Sequence, residues 1–129
     1  MLLLVMARIL VIEDDPGMRL MLGEVLKRPG FDVVLAANGR EGVELARARP
    51  ADVVITDLFM PEKEGLETIK EIHQDSPQAA IIAISGKPGA PALLAVAQRF
   101  GASRVVQKPF TPEEILTVVE ETVGRREAQ

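Results

Sequence analysis

The sequence has no cysteine, no tryptophan and no tyrosine, and its one histidine is His73. Without cysteine, disulfides, thiolate nucleophiles and thiolate metal sites are excluded. One histidine and no cysteine cannot assemble a zinc site either. Four phenylalanines are the whole aromatic complement, which disfavours a base-stacking surface for single-stranded nucleic acid. Positive charge is scarce as well: 15 Lys and Arg face 19 Asp and Glu, a formal charge of −4. That balance suits phosphate neutralisation poorly, so no direct DNA binding by this chain is expected. No apolar run approaches the ~18–20 residues of a membrane span, and Met1–Val5 is too short and lacks the basic leader of a signal peptide. A cytoplasmic, membrane-free protein is expected. Neither G-x-G-x-x-G nor a P-loop is present, which argues against a nucleotide- or flavin-binding domain.

What is present is ample core material. Apolar residues make up 47% and charged residues 26% of 129 positions, a length that suits one domain. Residues 1–129 are expected to form a single unit, with 1–6 as an N-terminal extension and 124–129 as a polar end that frays. Strand-like and helix-like segments alternate. Ala7–Glu13, Phe31–Ala37, Asp52–Asp57, Ala79–Ser85 and Ser103–Gln107 read as strands. Pro16–Arg28 carries Met18, Met21, Leu22, Val25 and Leu26 on one helical face, and Pro29-Gly30 ends it. Asn38-Gly39 leads into a helix near Arg40–Arg49, and Glu64–Gln74 reads as a third. Gly86–Pro91 is a Gly- and Pro-rich loop before a helix over Ala92–Phe100, with Leu93, Val96, Ala97 and Phe100 on one face. Thr111-Pro112-Glu113-Glu114 supplies an N-cap, a first-turn proline and a capping-box glutamate for the last helix. Its apolar face carries Ile115, Val118 and Val119.

Five strand-then-helix units predict an α/β domain with a five-stranded parallel sheet. The strands are Ile/Val runs rather than alternating patterns, as expected when helices cover both faces. Ligands of such sheets bind outside the carboxyl ends of the strands. Glu13, Asp14 and Asp15 stand at the first of these ends, Asp57 at the third, Ser85 at the fourth and Lys108 after the fifth. Clustered carboxylates repel unless a counter-charge is present. A hard divalent cation such as Mg²⁺ answers that need, with Glu13, Asp14 and Asp57 supplying oxygens. A carboxylate is also a nucleophile toward phosphorus. Lys108 can neutralise a phosphoryl oxygen and the Ser85 hydroxyl can donate to another.

These residues, in the segments RILVIEDD, TDLFMP, AIS and QKPF, resemble the signature of response-regulator receiver domains of bacterial two-component systems, of the CheY-like kind. The resemblance runs from about Ala7 to Val123. It implies a (βα)5 flavodoxin-like sheet of strand order 2-1-3-4-5, with Asp57 as phospho-acceptor. It further implies Mg²⁺ held by Glu13, Asp14, Asp57 and the backbone carbonyl of Phe59, and a cis Lys108-Pro109 bond. The implied phosphoryl donor is a histidine kinase or phosphotransfer protein. The implied output is protein contact through the fourth and fifth helices and the fifth strand, from a monomer or a phosphorylation-dependent homodimer. With no sequence after Gln129 to serve as an output domain, a stand-alone receiver is expected, unless the chain is a fragment of a longer regulator.

Each residue also has a plainer reading. Asp15 before Pro16 fits a helix N-cap rather than a metal ligand. Ser85 can cap a turn, and Lys108 can be a surface lysine. His73 reads as a packing residue, and the Met residues of the first helix as core. Arg125-Arg126 complements a helix C-terminus. One position departs from the family. Val105, three residues before Lys108, stands where receivers that signal by ring rotation carry an aromatic, so Ser85 and the 86–91 loop are the expected switch. Phe59 and Lys87 occupy the positions that tune dephosphorylation. A Mg²⁺-dependent phosphohydrolase using Asp57 is the competing enzyme reading. Phe59 opposes it, because such enzymes usually carry a second acid two residues after the nucleophile. A non-phosphorylated adaptor is the other alternative, opposed by the complete acceptor set.

Overall fold

The computed structural model describes residues 7–59, 65–86 and 90–128. The chain alternates strictly: β1 Arg8–Ile12, α1 Pro16–Lys27, β2 Asp32–Ala36, α2 Gly39–Ala48, β3 Val53–Asp57, α3 Gly65–Asp75, β4 Ala80–Ser85, α4 Ala90–Phe100, β5 Arg104–Gln107 and α5 Pro112–Ala128. The five strands form one parallel sheet in the order β2-β1-β3-β4-β5. Both the fold class and the strand order agree with the expectation.

Successive strand residues point to opposite faces, and each face has its own core. Ile9, Val11, Val53, Ile55, Ile82 and Ile84 pack with Leu22, Val25 and Leu26 of α1 and Ile115, Val119 and Val123 of α5. Leu10, Ile12, Val54, Ile81 and Ala83 face α2, α3 and α4, where Val43, Ala46, Ile69, Ile72 and Ala97 meet them. With both faces covered, alternation of polar and apolar residues is unnecessary. This is why the strands read as unbroken aliphatic runs. Met18 and Met21 lie partly buried against the first of these cores, as expected of core methionines.

Local signals act where the sequence places them. Asp15 caps α1, its carboxylate accepting from Met18 N–H at 3.3 Å, with Pro16 in the first turn. Asn38 caps α2 by accepting from Glu41 N–H at 2.8 Å. Thr111 and Glu114 form a reciprocal capping box at 3.1 and 3.3 Å. His73 lies against Gly101, whose φ of +127° only glycine adopts freely and whose missing Cβ leaves room for the ring.

Two details differ from the expectation. α4 begins at Ala90, two residues earlier than the Gly/Pro-rich stretch suggests. Phe100, placed on the apolar face of α4, is 38% exposed at the last residue of the helix and belongs to neither core. α5 runs from Pro112 to Ala128, with Thr122 and Val123 buried in the turn before Gly124. The 1–6 extension and Lys87 lie outside the described residues. So does the middle of the 86–91 loop.

Candidate functional site

Sheet register assembles the site. Ile12 pairs with Thr56 across β1 and β3, so Glu13 and Asp57 emerge side by side at the carboxyl edge. Asp57 pairs with Ile84, and Ser85 with Gln107, so Ser85 and Lys108 follow in the same layer. The strand order reverses between β1 and β3, and the crevice at such a switch point is where open α/β sheets bind ligands. The lysine turn is held by its own backbone, Lys108 N–H donating to the Ser85 carbonyl at 2.8 Å. The Lys108-Pro109 bond is cis.

Carboxylate oxygens of Glu13, Asp14 and Asp57 lie within 4.8 Å of one another. Glu13 is 1% and Asp57 5% exposed, while Asp14 is half-buried. Lys108 Nζ donates to Asp57 Oδ2 at 2.7 Å and to Glu13 Oε1 at 3.1 Å. Asp57 Oδ1 accepts from the Phe59 N–H at 3.0 Å, and Glu13 Oε2 from the Asp15 N–H at 3.2 Å. Ser85 is fully buried, and among the described residues its Oγ has no hydrogen-bond partner. A buried hydroxyl without a protein partner is rare, and a ligand oxygen at this edge would supply one.

Burial drives the titration of Glu13. Loss of water pushes its carboxyl up to about 7, against the Asp15 N–H, which lowers it; the nearby Asp57 charge raises it further, and Lys108 opposes. For Lys108, burial acts downward, but the hydrogen bond and charge of Asp57, and then those of Glu13, outweigh it and raise the ammonium above the ordinary lysine value. The crevice therefore holds more negative charge than one lysine offsets. Its donor set is all oxygen, which fits a hard cation such as Mg²⁺.

Most expected positions converge here: Glu13, Asp14, Asp57, Ser85 and Lys108 share one edge, with Phe59 beside them. Asp15 is a cap. Val105 lies half-buried against the core facing α4. Two contributors were not anticipated. Gly65 N–H donates to the Leu58 carbonyl at 3.2 Å, and a Cβ at Gly65 would run into the Asp57 carbonyl and Leu58 Cα. Arg19 Nη1 donates to the carbonyls of Glu13 and Asp14. Its position four residues past the Asp15 cap, one turn up on the same side, was the available signal.

The chain is thus a doubly wound parallel sheet with an acidic crevice facing a lysine at its switch point. The family profile of the response regulator receiver domain matches residues 9–120, and the chain belongs to that family. It is 37% identical over 110 residues to the chemotaxis protein CheY of Thermotoga maritima, covering 84% of this chain and 91% of that protein. It is 36% identical over 118 residues to CheY of Bacillus subtilis, covering 91% and 98%. Among solved structures, chemotaxis protein CheY4 of Vibrio cholerae superposes with a TM-score of 0.84 at 29% identity, covering 91% of this chain and 98% of that one. The chain is thus a CheY-like receiver domain. Among the described residues no helix is long and apolar enough to cross a membrane.

Proposed function

We propose that this domain takes up a phosphoryl group on Asp57 and passes the signal on by protein contact. The observation that carries this reading is Lys108 bridging Asp57 and Glu13 at 2.7 and 3.1 Å in a buried acidic crevice. A lysine there holds the carboxylates together before transfer and meets the new phosphoryl charge after it. In the transfer, an Asp57 carboxylate oxygen bonds to the donor phosphorus. The bond from phosphorus to the donor nitrogen or oxygen breaks, and its electron pair leaves with the donor. The Ser85 hydroxyl, without another partner among the described residues, donates to a phosphoryl oxygen.

The side chains of Glu13, Asp14 and Asp57, with the Phe59 carbonyl, are the set that would hold Mg²⁺. When bound, the cation supplies charge neutralisation and a template for phosphoryl oxygens. The donor is a histidine kinase or a phosphotransfer protein in the cytoplasm. The output face is formed by α4, β5 and α5, on a monomer or a homodimer formed on phosphorylation. Val105 cannot perform an aromatic ring rotation, so the reading assigns the conformational response to Ser85 and the 86–91 loop.

The test is intact mass after incubation with Mg²⁺ and a small acyl phosphate, beside Asp57→Asn. The expected result is gain of one phosphoryl group, dependent on Mg²⁺ and absent in the variant. Equal gain by Asp57→Asn, or none by the wild type with either an acyl phosphate or a kinase, overturns the reading.

A further inference from the structure

The three-residue link between β1 and α1, Glu13 to Asp15, carries two of the three clustered acids. Its backbone groups need partners like any others. Glu13 N–H donates to the Ala36 carbonyl at 3.0 Å, and the Asp15 carbonyl accepts from Arg19 N–H at 2.9 Å. The carbonyls of Glu13 and Asp14 are taken by one side chain. Arg19 Nη1 lies 2.9 Å from the first and 3.4 Å from the second, the longer bond being the weaker.

The effect reaches a carboxylate through one peptide plane. In a trans peptide the C=O and N–H point to opposite sides. The Asp14 carbonyl faces Arg19, and the N–H of the same unit, from Asp15, donates to Glu13 Oε2 at 3.2 Å. Glu13 Oε2 is thereby held by backbone, while Oε1 faces Lys108 and the crevice. The choice of partner matters electrostatically. An ion pair between Arg19 and Glu13 or Asp14 would offset the negative charge that attracts a cation. Among the described residues, Arg19 bonds these carbonyls and pairs with neither carboxylate.

We propose that Arg19 is a positioning residue for the cation site: it orients the peptide units that aim Glu13 and Asp14, and so sets divalent-cation affinity without touching the cation. The inference rests on the proposed function. It predicts an effect on the Mg²⁺ concentration needed, not on transfer once the site is filled.

The experiment titrates Mg²⁺ into wild type, Arg19→Ala, Arg19→Lys and Val123→Ala. Binding is read by calorimetry, and phosphoryl uptake by intact mass. Arg19→Ala should raise the half-saturating Mg²⁺ about tenfold in both readouts. Its uptake rate at saturating Mg²⁺ should stay within about twofold of wild type. Arg19→Lys, with an ammonium in place of the fork, should recover part of the loss. Val123→Ala weakens the core near the C-terminal end of α5, by the amino ends of β4 and β5 and opposite the site, and should leave the midpoint unchanged. An Arg19→Ala midpoint equal to wild type overturns the proposal. So does a loss confined to the saturated rate, or an equal midpoint shift in Val123→Ala. Should Arg19→Ala not fold, an unshifted midpoint in Arg19→Lys and Arg19→Gln overturns it. A wild type that neither binds Mg²⁺ nor gains mass overturns the functional reading instead.

Discussion

Lys108 and Asp57, 51 residues apart in sequence, meet at 2.7 Å, Nζ to Oδ2, with Lys108 22% exposed and the Asp57 side chain 7%. The lysine is the wet end of a pair whose acid is dry. Removing it strands Asp57 and Glu13 in a crevice without their cation. Lys108→Ala should cost about 1–3 kcal/mol in the metal-free protein at pH 8, below the cost of breaking a fully buried pair. Urea unfolding measures it. The loss should shrink at pH 5.5, where Glu13 holds its proton. An unchanged midpoint at pH 8 would show that water replaces the ammonium at no cost.

Glu13 imposes a pH dependence whose sign follows from its raised pKa of about 7 against an ordinary 4.5. The native state binds this proton more tightly than the unfolded chain does. The resulting stabilisation is fully present below pH ~4.5 and is lost as pH rises through ~7. The metal-free wild type should therefore lose stability from this group between those values. Glu13→Gln should flatten that part of the curve. Thermal unfolding of both proteins at pH 5.5 and pH 8 decides it, and parallel profiles would contradict the assignment. Mg²⁺ competes with the same proton, so its affinity should rise with pH across the same window.

Ser85 separates stability from function. Among the described residues its buried Oγ has no partner to lose, so Ser85→Ala should change stability by less than about 0.5 kcal/mol, or raise it. Uptake of a phosphoryl group should nevertheless slow by about tenfold or more, because a donor aimed at the developing charge is gone. Urea unfolding beside timed intact mass reads both. A loss above about 1.5 kcal/mol would mean the hydroxyl is paired in the folded protein.

Gly65 is required by proximity. A methyl group there would press on the Asp57 carbonyl and Leu58 Cα, which are backbone and cannot swing aside. Gly65→Ala should destabilise by about 2–3 kcal/mol and displace the end of β3. Gly124→Ala, where a Cβ meets nothing within 4 Å, is the matched control and should be neutral or stabilising. Equal chemical denaturation of both variants would refute the distinction.

Phe59 is 36% exposed, and its N–H is bonded to Asp57 Oδ1. A bulky apolar side chain beside the acceptor should hinder the water that hydrolyses an acyl phosphate. Loss of phosphoryl mass from Phe59→Asn should be several-fold faster than from wild type. Slower loss in the variant would remove the steric account.

Much of this protein is determined locally. The aliphatic runs, Pro16, Asn38, the capping box of Thr111 and Glu114 and the break at Pro29-Gly30 each act over a few residues. Period, cap chemistry and turn residues therefore place the elements to within a residue or two. The acids at the end of β1, Asp57, Ser85 and Lys108 are legible for the same reason, as polar residues that end apolar strands. Tertiary structure decided the rest. Register across β1, β3, β4 and β5 brings Glu13 and Asp57 to the same ammonium, although 95 and 51 residues separate them from Lys108. The raised pKa of Glu13 comes from burial beneath neighbours remote in the chain. Gly65 is needed because of a close backbone approach, and Arg19 because two carbonyls in a short link lack ladder partners. Such properties belong to distances between segments. Local sequence carries no record of those distances, because they exist only once the apolar faces have closed on one another.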